Sequence, residues 1–146
     1  MKEYVFDTSA LLTYIENEEG VETVENMLIK ALNGEDKIFI STVTMIEIFY
    51  ISMQEQGRAI AVERMNLIET LPLMQESLTP NLTKTIGEMK AVKSMSFADC
   101  CIAGLAKSKK AVLVHKDPEF EQIEDETSQL KLPYKRKVKK GQRGSA

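Results

Sequence analysis

Four acidic residues of this chain, Asp7, Glu47, Asp99 and Asp117, stand at positions where a carboxylate could do chemistry. Asp7 ends the apolar run "EYVF" and is followed by Thr8 and Ser9, before the apolar pattern resumes at Leu11, Leu12 and Ile15. An aspartate between a strand and a helix is also a good N-cap, because its side chain accepts N–H groups of the first turn; for Asp7 alone, capping is the stronger reading. Glu47 lies in "STVTMIEIFYISM", apolar almost all round, which predicts a buried helix. A lone carboxylate there is costly unless it reaches the surface, pairs with an arginine or holds a cation. Asp99 sits among the small residues of "MSFADCCIAGLA". With Ser96 as N-cap it takes the capping-box position, where the helix dipole favours an acid. Asp117 follows "AVLVHK" and precedes Pro118, an Asp-Pro helix opening. Glu119 is either its partner or a surface charge.

The elements that must position these acids are legible as alternating patterns. Strands are expected over 3–6, 37–41, 71–75 and 111–115, with an edge strand over 129–133 that ends at Pro133. Helical patterns fall on 21–32, 43–55, 59–70, 80–93 and 97–108. Strands alternating with helices predict an α/β fold with a central, mostly parallel sheet. Such sheets gather ligands at the carboxyl ends of their strands, where Asp7 and Asp117 both fall. Carboxylates converging on one edge repel and raise each other's pKa unless a divalent cation joins them. One histidine, His115, and two adjacent cysteines, Cys100 and Cys101, nearly exclude a zinc site of nitrogen and sulfur ligands. An oxygen-only cluster points to Mg²⁺ or Mn²⁺ and to chemistry on phosphoryl groups.

The 146 residues suit one domain, expected over 1–133, followed by a basic, disordered tail over 134–146. Residues 131–146 hold seven cations and no acid, which leaves 12 basic against 22 acidic residues in 1–130. An acidic body can hold cations while a basic tail meets phosphates or simply aids solubility. No stretch is apolar enough to span a bilayer and the first 20 residues lack a leader pattern, so a cytoplasmic location is expected.

In this order and spacing, "VFDTSALL", "TMIEIFY", "SFADCCIAGLA" and "LVHKDPEFEQI" resemble the four sequence blocks of PIN domains, over residues 1 to about 133. The likeness is strongest to the small VapC-type toxins of prokaryotic toxin–antitoxin pairs. It implies a three-layer α/β/α fold and metal-dependent endoribonuclease activity, with Asp7, Glu47, Asp99 and Asp117 as ligands of Mg²⁺ or Mn²⁺. It also implies Ser9 as support for the first aspartate and Glu119 as an additional acid. Capping of the first helix stays open to Thr8 or Ser9 as well, which would free the Asp7 carboxylate to face the metal. Where the family keeps Thr or Ser two residues before the last aspartate, this chain has His115, a supporting position at which an imidazole could replace the hydroxyl, bond RNA or disturb the site. An antitoxin partner and a homodimer, with the apolar helices around 43–70 as interface, are further implications. Because RNA must approach an acidic body, Lys90, Lys93, Lys116 and the tail from Lys135 to Arg143 are the expected phosphate contacts. Two other readings fit the same residues: an RNA-processing nuclease without an antitoxin, and a catalytically weak scaffold that binds RNA or protein. A phosphorylated receiver domain fits poorly, since "KIFIST" offers no acceptor aspartate.

Overall fold

The computed structural model describes residues 1–135, so the basic segment from Arg136 onward, most of the expected tail, lies outside the described residues. Five strands form one parallel sheet: β1 (Glu3–Phe6), β2 (Lys37–Ser41), β3 (Met74–Glu76), β4 (Val112–His115) and β5 (Gln129–Lys131), in the order β3-β2-β1-β4-β5. Pairing sets Tyr4 opposite Ile38 and Val112, and Phe6 opposite Val114, so β1 lies at the centre. Its Tyr4, Val5 and Phe6 are apolar and buried on both faces, as a strand covered on both sides must be.

Six α-helices cover the sheet: α1 (Thr8–Ile15), α2 (Val21–Leu32), α3 (Thr42–Gln56), α4 (Arg58–Glu69), α5 (Thr83–Val92) and α6 (Phe97–Lys109). The chain steps one way from β1 to β3 and then crosses back to β4. With right-handed crossovers, that reversal puts α1–α4 on one face and α5–α6 on the other. Two cores result. Tyr4, Phe6, Ile40 and Val114 meet Leu11, Leu28 and Ile48 on one side, while Val5, Phe39 and Leu113 meet Ile86, Ile102 and Phe120 on the other. This is the expected three-layer arrangement, and the reversal leaves a crevice between the carboxyl ends of β1 and β4.

The small residues of α6 serve this packing. A Cβ built on Gly104 would stand 2.7 Å from Ile86 Cγ1, deep in the α5–α6 contact. Gly104→Ala is therefore expected to cost about 1–3 kcal/mol despite its better helix propensity, because the β-branched Ile86 cannot swing away. Urea unfolding at equilibrium measures this, and a stabilised variant would show that the two helices part more easily than the contact implies.

Three local expectations change. The third strand forms over Met74–Glu76 rather than 71–75, because Pro72 lacks a donor and the Leu73 N–H turns back to Leu71 O at 2.8 Å. The helix expected over 80–93 opens as a 3₁₀ turn, Pro80–Leu82, before α5. Finally, α3 is not buried all round: Ile46 and Tyr50 are 58% and 44% exposed, and Met53 joins them at helical spacing on the outer face. No helix among the described residues is long and apolar enough to cross a membrane.

Candidate metal centre

The crevice begins with Asp7. Its N–H donates to Val114 O at 3.0 Å, continuing the β1–β4 ladder one residue past the strand. Asp7 itself caps α1, the reading its position alone favours, and the alternative caps Thr8 and Ser9 do not. The two carboxylate oxygens divide the labour. Oδ2 accepts the Ser9 N–H at 3.1 Å and the Ser9 hydroxyl at 2.5 Å, whereas Oδ1 is buried without a hydrogen-bond partner. Ser9 Oγ in turn accepts the Lys116 N–H at 3.0 Å, tying the chain just past β4 to the start of α1.

Glu47 reaches the same place from α3, which Ser41 caps by accepting the Val43 N–H at 3.0 Å. The Thr8 hydroxyl donates to Glu47 Oε1 at 2.7 Å and lies 3.3 Å from the Thr44 hydroxyl. Asp99 stands in the first turn of α6, with its N–H bonded to Ser96 Oγ at 3.1 Å as the capping pattern predicts. Asp117 caps the 3₁₀ turn Pro118–Ile123, its Oδ1 accepting the Glu119 N–H at 2.9 Å. Asp99, Asp117 and Glu119 each offer a carboxylate oxygen within 4.8 Å of the others.

The electrostatics join the two halves of the cluster. Burial pushes the Asp7 carboxyl up to about 6, against the pull of its Ser9 hydrogen bonds, with the Glu47 charge adding to the rise. Asp99 is pushed up to about 7, first by burial and then by the charges of Asp7, Asp117 and Glu47. Asp99 therefore feels three acids that are remote in sequence, and Asp7 feels Glu47. A buried carboxylate oxygen with no donor, in a set of like charges holding no nitrogen or sulfur ligand, fits a hard divalent cation. Mg²⁺ and Mn²⁺ both suit such oxygen donors. The group within reach of one ion is Asp99, Asp117 and Glu119; Asp7 and Glu47 act on Asp99 through their charge and do not belong to that group.

His115 is fully buried. Its Nδ1 accepts the Asp117 N–H at 3.0 Å, which leaves the proton on Nε2 to donate to Gln129 Oε1 at 2.8 Å. Burial lowers its pKa, outweighing the opposing Gln129 bond, so the neutral ring acts as a backbone brace for Asp117. Of the expected RNA-contacting lysines, Lys116 is buried, with its ammonium 3.6 Å from Glu18 and not in solvent. Lys90 bonds Met95 O at 3.0 Å and Lys93 lies 3.7 Å from Glu126, so neither joins the cluster.

Sequence offered Thr8 only as a helix cap, and its bond to Glu47 appears only in the fold. Thr8→Val keeps the shape but removes the donor that holds Glu47. It is expected to weaken Mn²⁺ binding about 10–100-fold, the usual effect of losing a partner of a metal ligand, as measured by titration calorimetry. Unchanged affinity would remove Glu47 or its hydroxyl partner from the site.

Comparison with solved structures places this fold beside several VapC proteins. VapBC2 from Rickettsia felis, bound to a DNA fragment from its promoter, matches with a TM-score of 0.74 at 18% identity, over 90% of this chain and 99% of that one. DNA-bound VapBC from Salmonella typhimurium matches with a TM-score of 0.72 at 19% identity, over 90% and 98%. VapC20 from Mycobacterium tuberculosis, a Sarcin-Ricin loop cleaving toxin, matches at 0.61 and 15%, over 82% and 93%. Comparison with curated proteins gives no significant match. The sequence model of the PIN domain matches residues 4–126, nearly the whole described body and every acid of the crevice, and the chain therefore belongs to the PIN domain family.

Proposed function

We propose that this chain is a Mg²⁺- or Mn²⁺-dependent endoribonuclease and the toxin of a toxin–antitoxin pair. The observation that carries the reading is the convergence of Asp7, Glu47, Asp99 and Asp117, with one Asp7 oxygen buried and unpartnered. The bound cation supplies Lewis acidity toward a phosphodiester and makes a water nucleophilic near neutral pH.

The protein's own part is to hold the carboxylates ready. Ser9 fixes the Asp7 rotamer through Oδ2 and leaves Oδ1 buried without a donor. Thr8 holds Glu47, and the Asp117 cap holds that carboxylate through the Glu119 N–H. Because hydrolysis by water does not use the RNA 2′-hydroxyl as nucleophile, the products are expected to carry 5′-phosphate and 3′-hydroxyl ends. The solved neighbours named as VapBC complexes support an antitoxin partner for this chain. The exposed apolar stripe Ile46, Tyr50 and Met53 on α3 supports a homodimer. The cell compartment follows from the same reading as cytoplasmic.

The test is cleavage of a labelled RNA by the wild-type protein and Asp99→Asn with Mn²⁺, Mg²⁺ or EDTA. Cutting that needs the metal and is lost in the variant is expected. Cutting that survives EDTA or the substitution would sink this site, and metal-independent RNA binding without cleavage would favour a scaffold.

A further inference from the structure

The turn that carries Asp117 and Glu119 is tied to the body by hydrogen bonds that reach well beyond the carboxylates. Gln129, on the edge strand β5, donates from its amide nitrogen to Phe120 O at 2.7 Å and accepts the His115 Nε2–H on Oε1 at 2.8 Å. His115 Nδ1 accepts the Asp117 N–H at 3.0 Å, and Asp117 Oδ1 accepts the Glu119 N–H at 2.9 Å. The backbone groups at its two ends fix the direction of this relay. A carbonyl oxygen only accepts, so Phe120 O draws the Gln129 amide nitrogen and turns the amide oxygen toward the ring. The imidazole must then carry its proton on Nε2, which leaves Nδ1 free for the Asp117 N–H. With the proton on Nδ1, two donors would meet at Asp117 and two acceptors at Gln129. A second amide ties the same turn to the segment that leads into α6. Gln122 donates to Glu119 O and to Ser94 O, both at 3.2 Å, and its oxygen accepts the Ser94 N–H at 2.9 Å. Ser94 closely precedes Ser96, the cap of α6, whose first turn holds Asp99.

We propose that Gln129, acting through His115, and Gln122 are positioning residues that hold Asp117 and Glu119 beside Asp99 and thereby set the affinity of the site for its divalent cation. The inference rests on the metal-dependent reading above. Asp99, Asp117 and Glu119 offer oxygens within 4.8 Å of one another, and like charges so close repel. A turn without braces would move its two acids away from Asp99 whenever the cation leaves. Both braces are neutral amides, so they hold the turn without bringing a positive charge that would pair with the carboxylates and compete with the cation. Neither glutamine is a catalytic residue, since each acts through a backbone group or the imidazole.

His115 is the one histidine of the chain, so nitrogen NMR of its ring reads the relay directly. In EDTA at pH 8 the wild-type ring is expected to carry its proton on Nε2; a proton on Nδ1 would overturn the Gln129 relay. Gln129→Leu removes both amide bonds at similar volume and is expected to let the proton visit Nδ1. Gln122→Ala changes an exposed side chain and is expected to leave the ring unaltered. Mn²⁺ affinity, measured by titration calorimetry, is expected to fall about 10–100-fold in Gln129→Leu and by a smaller factor in Gln122→Ala. In RNA cleavage the Mn²⁺ midpoint should shift by the same factors, while the rate at saturating Mn²⁺ recovers to within about threefold. A rate that stays low at saturating Mn²⁺ would place the loss in the fold and overturn the positioning role. Wild-type affinity in either variant would overturn the part assigned to that glutamine, and a wild type that binds no Mn²⁺ would overturn both. A wild type with the expected ring proton and Mn²⁺ affinity that cuts no RNA would end the ribonuclease reading and leave the positioning standing.

Discussion

Asp7→Asn is expected to lower metal-dependent RNA cleavage about 10²–10³-fold, the usual cost of removing one preorganised electrostatic group from a site. The loss should come without unfolding. Asparagine is as good an N-cap as aspartate, so the Ser9 N–H keeps an acceptor and α1 keeps its start. What disappears is the negative charge on the oxygen that now lies buried without a partner. In EDTA at pH 8 the variant should melt at or above the wild-type temperature, because a buried like charge has been removed from beside Glu47 and Asp99. Cleavage and melting thus move in opposite directions, a pattern that a merely destabilised mutant cannot give. A variant that cleaves normally, or that melts far below wild type, would show that Asp7 serves α1 and not a metal.

The second large effect is a linkage between pH, metal and stability. Asp7 rises from 3.8 to about 6, and Asp99 to about 7, chiefly through burial. An acid with a raised folded-state pKa keeps its proton in the folded chain while the unfolded chain releases it. Its stabilising contribution is complete below pH 4 and is lost as pH climbs through 6 to 7. For Asp7 a shift of this size corresponds to about 3 kcal/mol, or roughly 6–12 °C in Tm for a domain of this size. The metal-free protein is therefore expected to melt lower at pH 8 than at pH 5. Mn²⁺ should restore the difference at pH 8, where the carboxylates are charged, and do little at pH 5, where protons occupy its ligands. Scanning calorimetry in EDTA and in Mn²⁺ across this range measures both trends. Stability in EDTA that rises with pH, with no response to Mn²⁺, would contradict the convergence of these acids.

Much of this was legible in the chain itself. The apolar "YVF", "IFI" and "VLV" runs define central strands because a sheet covered on both faces admits no polar alternation. Asp7, Ser96 with Asp99, and Asp117 with Pro118 mark helix starts through local hydrogen-bonding chemistry, which needs only neighbours in sequence. The ends of β1 and β4 carried their acids to one edge as soon as the sheet was parallel.

Other features depended on which distant atoms became neighbours. Sequence could weigh capping against metal binding at Asp7 but not see that Oδ2 caps α1 while Oδ1 is buried without a hydrogen-bond partner. Hydrophobicity all round α3 could not say which side faces solvent, since Ile46 and Ile48 are chemically alike and only packing separates them. Lys116 read as a free cation until Glu18, 98 positions earlier in the chain, closed on it. His115 read as a gap in a pattern until Gln129, Phe120 and Tyr134 surrounded it. Local propensity and covalent chemistry thus chose the elements and supplied the acids. The burial and shared field that turn those acids into one centre exist only between segments brought together by the fold.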